Sequence, residues 1–327
     1  MNLNRRALLL VAVAFAALSP LAANAQAFPA RPVHLVVPFP PGGPTDVFAR
    51  VYAAQLGAVL GQTVVVENKA GASGAIGAMD VVRATPDGLT LLFGTASTHG
   101  LYNLITEKPQ YDSVKDFAHV AIVGGAPVVF VAQTTLPPTL KGVVDLARAQ
   151  PEKLRYGSPG TGTFLHLATE RLKNEAGVKI QHIPYKGSGQ SKPALLGGQV
   201  ELIVNTLGSS LPDHAAGKVR ILGVASAKRS ALAPDIPTVD EAIGTKGFQA
   251  VLWNVVAAPT GTPPDILETL AAATAKALSD ATVQEKLAKL GIDVETGVGP
   301  AAATAFIKAE MARWKPVVDS LKGTLKQ

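Results

Sequence analysis

Two features of the sequence predict an α/β chain folded as two lobes. Apolar runs of strand length alternate with helix-spaced runs along most of the chain, and two segments are long enough to leave one sheet and enter another. The first strand is "VHLVV", 33–37. After it Phe48, Val51, Tyr52, Leu56, Val59 and Leu60 recur at helical spacing, with Thr45 as the expected N-cap. Further strands are expected at 63–68, 89–94, 154–158, 180–185, 200–205 and 219–226, with helices between them. The run "HVAIVGGAPVVFVAQ", 119–133, is twice ordinary strand length and carries a Gly-Gly break, while 219–242 starts as a strand and becomes a Pro-rich connector. If both are crossings, 126–225 is an inserted lobe, and 26–125 joins 226–327 to form the other. Each lobe is then a mostly parallel sheet flanked by helices. The tail adds a strand at "LWNVV" and a long helix capped by Thr262 with Pro263 in its first turn. A helix opened by a Thr282–Glu285 capping box follows, and a last helix runs from about 301 to 320.

The N-terminus reads as an export signal: Arg5 and Arg6, the apolar run 7–18, and "ANA" at 23–25, with cleavage expected before Gln26. The paired arginines leave the choice between the general and twin-arginine routes open. Without residues 1–25, 28 Lys and Arg face 24 Asp and Glu, a mild +4 with no clustering. Aromatic residues are only 5% of the chain, so neither a phosphate-tracking stripe nor a stacking platform for nucleic acid is visible. With no cysteine, an exported chain has to be stabilised by its core, which about 300 residues can supply. A soluble periplasmic monomer without cofactor is expected.

Between the first strand and its helix stands "PFPPGGPTD", 38–46. Open α/β sheets place ligands at such strand ends, where a helix start offers unpaired N–H groups and partial positive charge. Prolines stiffen the loop, and Gly42 and Gly43 let an anion reach the backbone. Positive φ is expected there, which makes Gly43→Val a strained substitution. Similar Gly/Ser/Thr loops follow other strands at 68–78, 94–100, 156–166 and 184–191. Almost free of charge, such loops suit the carboxylates of a small ligand held in a cleft. Ser73, Thr95, Ser97 and His99 are the candidates these loops add in the first lobe. Asp46 also favours its helix dipole whatever the function, and His166 has a packing alternative.

Enzyme signatures are missing. There is no Walker A sequence, no G-x-S-x-G elbow, no H-x-x-x-H pair and no paired carboxylates; a metal site has nothing to rest on. An exported hydrolase using Ser158 or Ser97 with His166 is the rival reading.

Several long stretches, among them "FPARPVHLVVPFPPGGPTDVFAR", "ATPDGLTLLFGT", "YGSPGTGTFLHLATE" and "IPYKGSGQSKPALLGGQVEL", resemble the solute receptors of tripartite tricarboxylate transporters, the Bordetella uptake gene family. The resemblance covers essentially the whole mature chain. It implies a two-lobed Venus-flytrap receptor of the type II-like periplasmic-binding-protein fold, which takes a small carboxylated solute to a membrane transporter. A sensor subunit feeding a signalling partner would share the site. Carried over, the first loop, Phe39 to Asp46 with Pro41, holds a carboxylate partly through water. Ser158, Thr161, Thr163 and His166 oppose it, and Tyr185 and Lys186 lie toward the hinge. The solute class implied is a di- or tricarboxylate, an amino acid or an aromatic acid. The chain departs from the family pattern at "NKAGASGAIG" in place of "NRPGAGGNIG", at Asn205 where aspartate is frequent, and at Asn254 where glycine is usual.

Overall fold

The computed structural model describes residues 28–295 and 299–325; the expected export segment and cleavage point lie outside them. A first sheet, whose inner strands run near-continuously buried, is ordered β2 (Val64–Asn68), β1 (Val33–Val37), β3 (Thr90–Thr95), β9 (Val251–Pro259), β4 (Phe117–Gln133), β10 (Asp293–Val294). The second sheet is ordered β6 (Gln181–Pro184), β5 (Arg155–Ser158), β7 (Leu202–Thr206), β4, β8 (Val219–Val224). Both are mixed rather than mostly parallel. Strands linked by short βα units pair in parallel, but β4, β8 and β9, which meet from distant parts of the chain, pair antiparallel.

β4 belongs to both sheets. It pairs with β9 through Pro127 and with β7 and β8 from Val128 onward. At Gly124, φ +131, a side chain would meet the Asp293 carbonyl 2.3 Å away, so the crossing backbone of β10 requires glycine there. Three passes of chain meet in a ring of backbone bonds: Val128 N–H to Ala250 O at 3.0 Å, Ala250 N–H to Ala225 O at 2.9 Å, and Ala225 N–H to Val128 O at 2.8 Å. Residues 226–249 do not return to the first sheet. Val224 bridges Thr238, and Val239 packs with Leu140 and Val143 beside the second sheet.

The helices in chain order are α1 (Pro44–Leu60), α2 (Ala75–Val82), α3 (Tyr102–Ile105), α4 (Leu140–Ala149), α5 (Phe164–Ala176), α6 (Ser188–Leu196), α7 (Leu207–Ala215), α8 (Val239–Ile243), α9 (Pro264–Leu278), α10 (Ala281–Lys289) and α11 (Pro300–Leu325). Three caps differ from expectation. Pro44 needs no N–H partner, so α1 starts there with Gly43 as N-cap and Thr45 already inside. Thr262 bonds Pro259 O instead of capping α9, whose N-cap is Pro263. Asp280 caps α10 through Thr282 N and Val283 N, displacing the Thr282 box. α11 ties the halves together: Trp314, 1% exposed, meets the Phe164 ring edge-on at 4.8 Å. No described helix is long and apolar enough to cross a membrane.

Candidate functional site

Between the two sheets lies a cavity of about 240 Å³. Pro44, Ser188 and Thr206 line it, so the N-termini of α1, α6 and α7 converge on one space. None of these three has a side-chain cap, nor have α2, α3 and α9, whereas α4, α5, α8 and α10 are capped by Thr139, Thr163, Thr238 and Asp280. Free N–H groups and three positive dipole ends therefore face the same volume. Among the described residues the lining holds no acid and one cation, Lys192, already engaged by Asp213 at 2.6 Å and the Ser209 carbonyl. A narrow recess continues toward α5, walled by Phe39, Gly43, Ser97 and Thr163. Such a space binds a small anion.

The first loop is shaped by Asp46 rather than lined by it. Its buried carboxylate accepts from Gly42 N at 2.9 Å, Arg50 Nε at 3.0 Å and Asn68 Nδ2 at 2.8 Å. Burial works to raise its pKa, but the Arg50 side chain, the Gly42 N–H and Asn68 outweigh it and hold the carboxyl below its ordinary value. Only Gly42 has positive φ, +80; Gly43 sits at φ −81, so the strain expected of Gly43→Val belongs to Gly42. Asp46→Ala should cost about 2–3 kcal/mol of stability, read by urea melts, because three donors lose one acceptor. A depressed carboxyl stabilises above its unfolded pKa and ceases to as pH falls through the folded value. Asp46→Asn should therefore flatten the acid limb of the parent's stability curve, and an unchanged limb would show that the carboxylate is not so held.

Of the sequence candidates, Phe39, Gly42, Gly43, Thr45, Ser97, Thr163 and Asn205 line the cavity or its recess. Ser73 and Thr161 line neither: Ser73 Oγ donates to the Thr161 carbonyl at 2.5 Å, a bond between the halves, and Thr161 lines a separate cavity with His166. Ser97 Oγ accepts from Phe164 N at 2.9 Å, a second bond between the halves. The others lie elsewhere. Thr95 caps the π-helical turn 96–101 through Ser97 N, and His99 is wholly buried against the Phe117 and His119 rings. Ser158 is fully buried, its Oγ 2.6 Å from His182 Nε2 and accepting from Gly160 N. His166 accepts from Gly162 N at 3.1 Å behind the loop and lines a different cavity on the outer face. Pro41 and Lys186 are exposed, and Tyr185 packs among the core residues of the second sheet. Sequence reasoning missed Thr206, Ser209 and Lys192. "NTLGSS" after β7 was the available signal, a strand end with small hydroxyl residues and one glycine.

Lobes of this topology, joined at crossing strands with a polar cavity between them, make the two-lobed fold of periplasmic binding proteins. The model of the tripartite tricarboxylate transporter family receptors matches residues 48–322, and the chain belongs to that family. It is 36% identical to protein BugT of Bordetella pertussis, with all of both chains aligned. Among solved structures, MatC from Rhodopseudomonas palustris with bound malate is 34% identical, covering 89% of this chain and all of that one, at TM-score 0.85. The R. palustris protein Rpa4515 with adipate is 36% identical, covering 90% and 98%, at TM-score 0.86.

Proposed function

We propose that this chain is an exported periplasmic receptor that closes two lobes on a small carboxylated solute and passes it to the membrane subunits of a tripartite tricarboxylate-type transporter. The carrying observation is the meeting of three side-chain-uncapped helix N-termini at one acid-free cavity. The malate and adipate bound by the two R. palustris relatives agree with its charge and size. The moving bodies are 128–249 and the remainder of the mature chain from Gln26, working as a monomer, and the ring at Val128, Ala225 and Ala250 is the hinge. A binding rather than hydrolytic role is favoured by the position of Ser158, which is fully buried and lines neither the cavity nor its recess. Calorimetry with C4 to C6 dicarboxylates and their dimethyl esters tests this reading. Diacid binding with compaction in small-angle scattering is expected, and the esters should bind at least tenfold more weakly, the loss of charge-assisted bonds. Equal binding of esters, or ester turnover abolished by Ser158→Ala, would sink it.

A further inference from the structure

We propose that Asn205 and Asn254 form a donor and acceptor pair that selects a carboxylate bearing a hydroxyl and rejects its ammonium analogue; this rests on the carboxylate-receptor reading above. Both side chains line the cavity, 2% and 3% exposed, one from each sheet beside the crossing strand. Each amide is held by its other end. Asn205 Oδ1 accepts from Thr206 N at 2.9 Å, which leaves Nδ2 as the group toward the cavity. Asn254 Nδ2 donates to the Gly94 carbonyl at 3.2 Å, which leaves Oδ1. The two strand ends thus put one amide donor and one amide acceptor on the cavity wall, beside the hydroxyl residues Thr206 and Ser209. A hydroxyl satisfies both, because it accepts and donates at once.

An ammonium donates only, so it would face Asn205 Nδ2 with like polarity. Neither the cavity nor its recess supplies a carboxylate to neutralise it. It would also sit among the same three positive helix ends that favour the carboxylates. An unsubstituted diacid meets neither penalty but leaves two buried amide groups unmatched.

The test is competition calorimetry with matched series of unsubstituted, 2-hydroxy and 2-amino diacids: succinate, malate and aspartate, with their C5 and C6 counterparts. At the best-bound length the hydroxy acid should bind about tenfold tighter than the unsubstituted acid, the worth of matched neutral hydrogen bonds. It should bind about a hundredfold tighter than the amino acid, whose charge is desolvated without a partner. Asn205→Asp, nearly isosteric, should reverse the order of hydroxy and amino acids. Asn254→Ala should collapse the hydroxy-to-unsubstituted ratio toward one. An amino acid that binds as well as the hydroxy acid overturns the selectivity and leaves the receptor reading standing, as does a ratio unmoved by Asn254→Ala. No binding by any diacid removes both.

Discussion

Gly208→Ala is expected to weaken solute binding about a hundredfold while the ligand-free protein melts within a few degrees of the parent. Gly208 opens α7 beside the cavity, and a Cβ there would stand 1.8 Å from the Leu290 carbonyl oxygen and 2.2 Å from its carbon. Both obstacles are backbone, so no rotamer change relieves them. Leu290 follows α10, beside the first sheet, and α7 packs with the second. The clash therefore belongs to the arrangement in which the halves touch, and opening at the proposed hinge would remove it. An alanine then penalises the closed form alone, and a solute that prefers that form loses affinity by the same amount. Scattering should show a variant that stays extended at solute concentrations that compact the parent. A fall of ten degrees or more in melting temperature, with binding unchanged, would mean that Gly208 and Leu290 belong to one rigid body.

Some of the molecule was readable from sequence and some was not. Buried strands are continuous apolar runs bounded by turn residues, so "VHLVV" and the double-length "HVAIVGGAPVVFVAQ" stand out by composition alone. Helix caps do not, since Thr45 and Thr262 each lie one or two residues from a proline that moves the helix start. The connector 226–249 turned away from the first sheet because Thr238 and Val239 find partners on β8 and α4, a tertiary preference with no local signature. In the site, the Gly-Pro loop announced itself through backbone chemistry. The polar side chains near it did not, because a histidine in the first turn after a strand or loop can face cleft or core with equal local sequence. His99 went to the core and His166 behind its loop, whereas the plain "NTLGSS" came to line the cavity.

Acidification from pH 6.5 toward 4 is expected to destabilise the protein steeply, with His166 contributing close to one proton, about 1.4 kcal/mol per pH unit. The His166 ring is 4% exposed, stacks on His182 at 4.2 Å and lies 6.5 Å from the Tyr156 ring. Burial, then the His182 and Lys173 charges, pull its pKa down to about 3. His182 falls to about 4, chiefly through burial, with Glu170 opposing and Lys173 assisting. Glu170 does not rescue the protonated form, because its carboxylate is taken by Lys173 Nζ at 2.7 and 2.9 Å and by the Tyr156 hydroxyl. The sign follows: below 6.5 the unfolded chain takes up protons that the folded one refuses, so stability falls as pH falls through that window. His166 Nδ1 must be unprotonated to accept from Gly162 N, and that bond shapes the loop that leads into the Thr163 cap and the recess wall. Because the folded ring stays unprotonated down to about 3, that bond persists through the window, and the solute affinity of the folded protein should hold while its stability falls. Urea midpoints of the parent and His166→Gln at pH 7 and pH 5 decide the matter. The variant should be weaker at pH 7 and less acid-sensitive by about one proton; parallel slopes would show that the histidine already titrates in the folded protein.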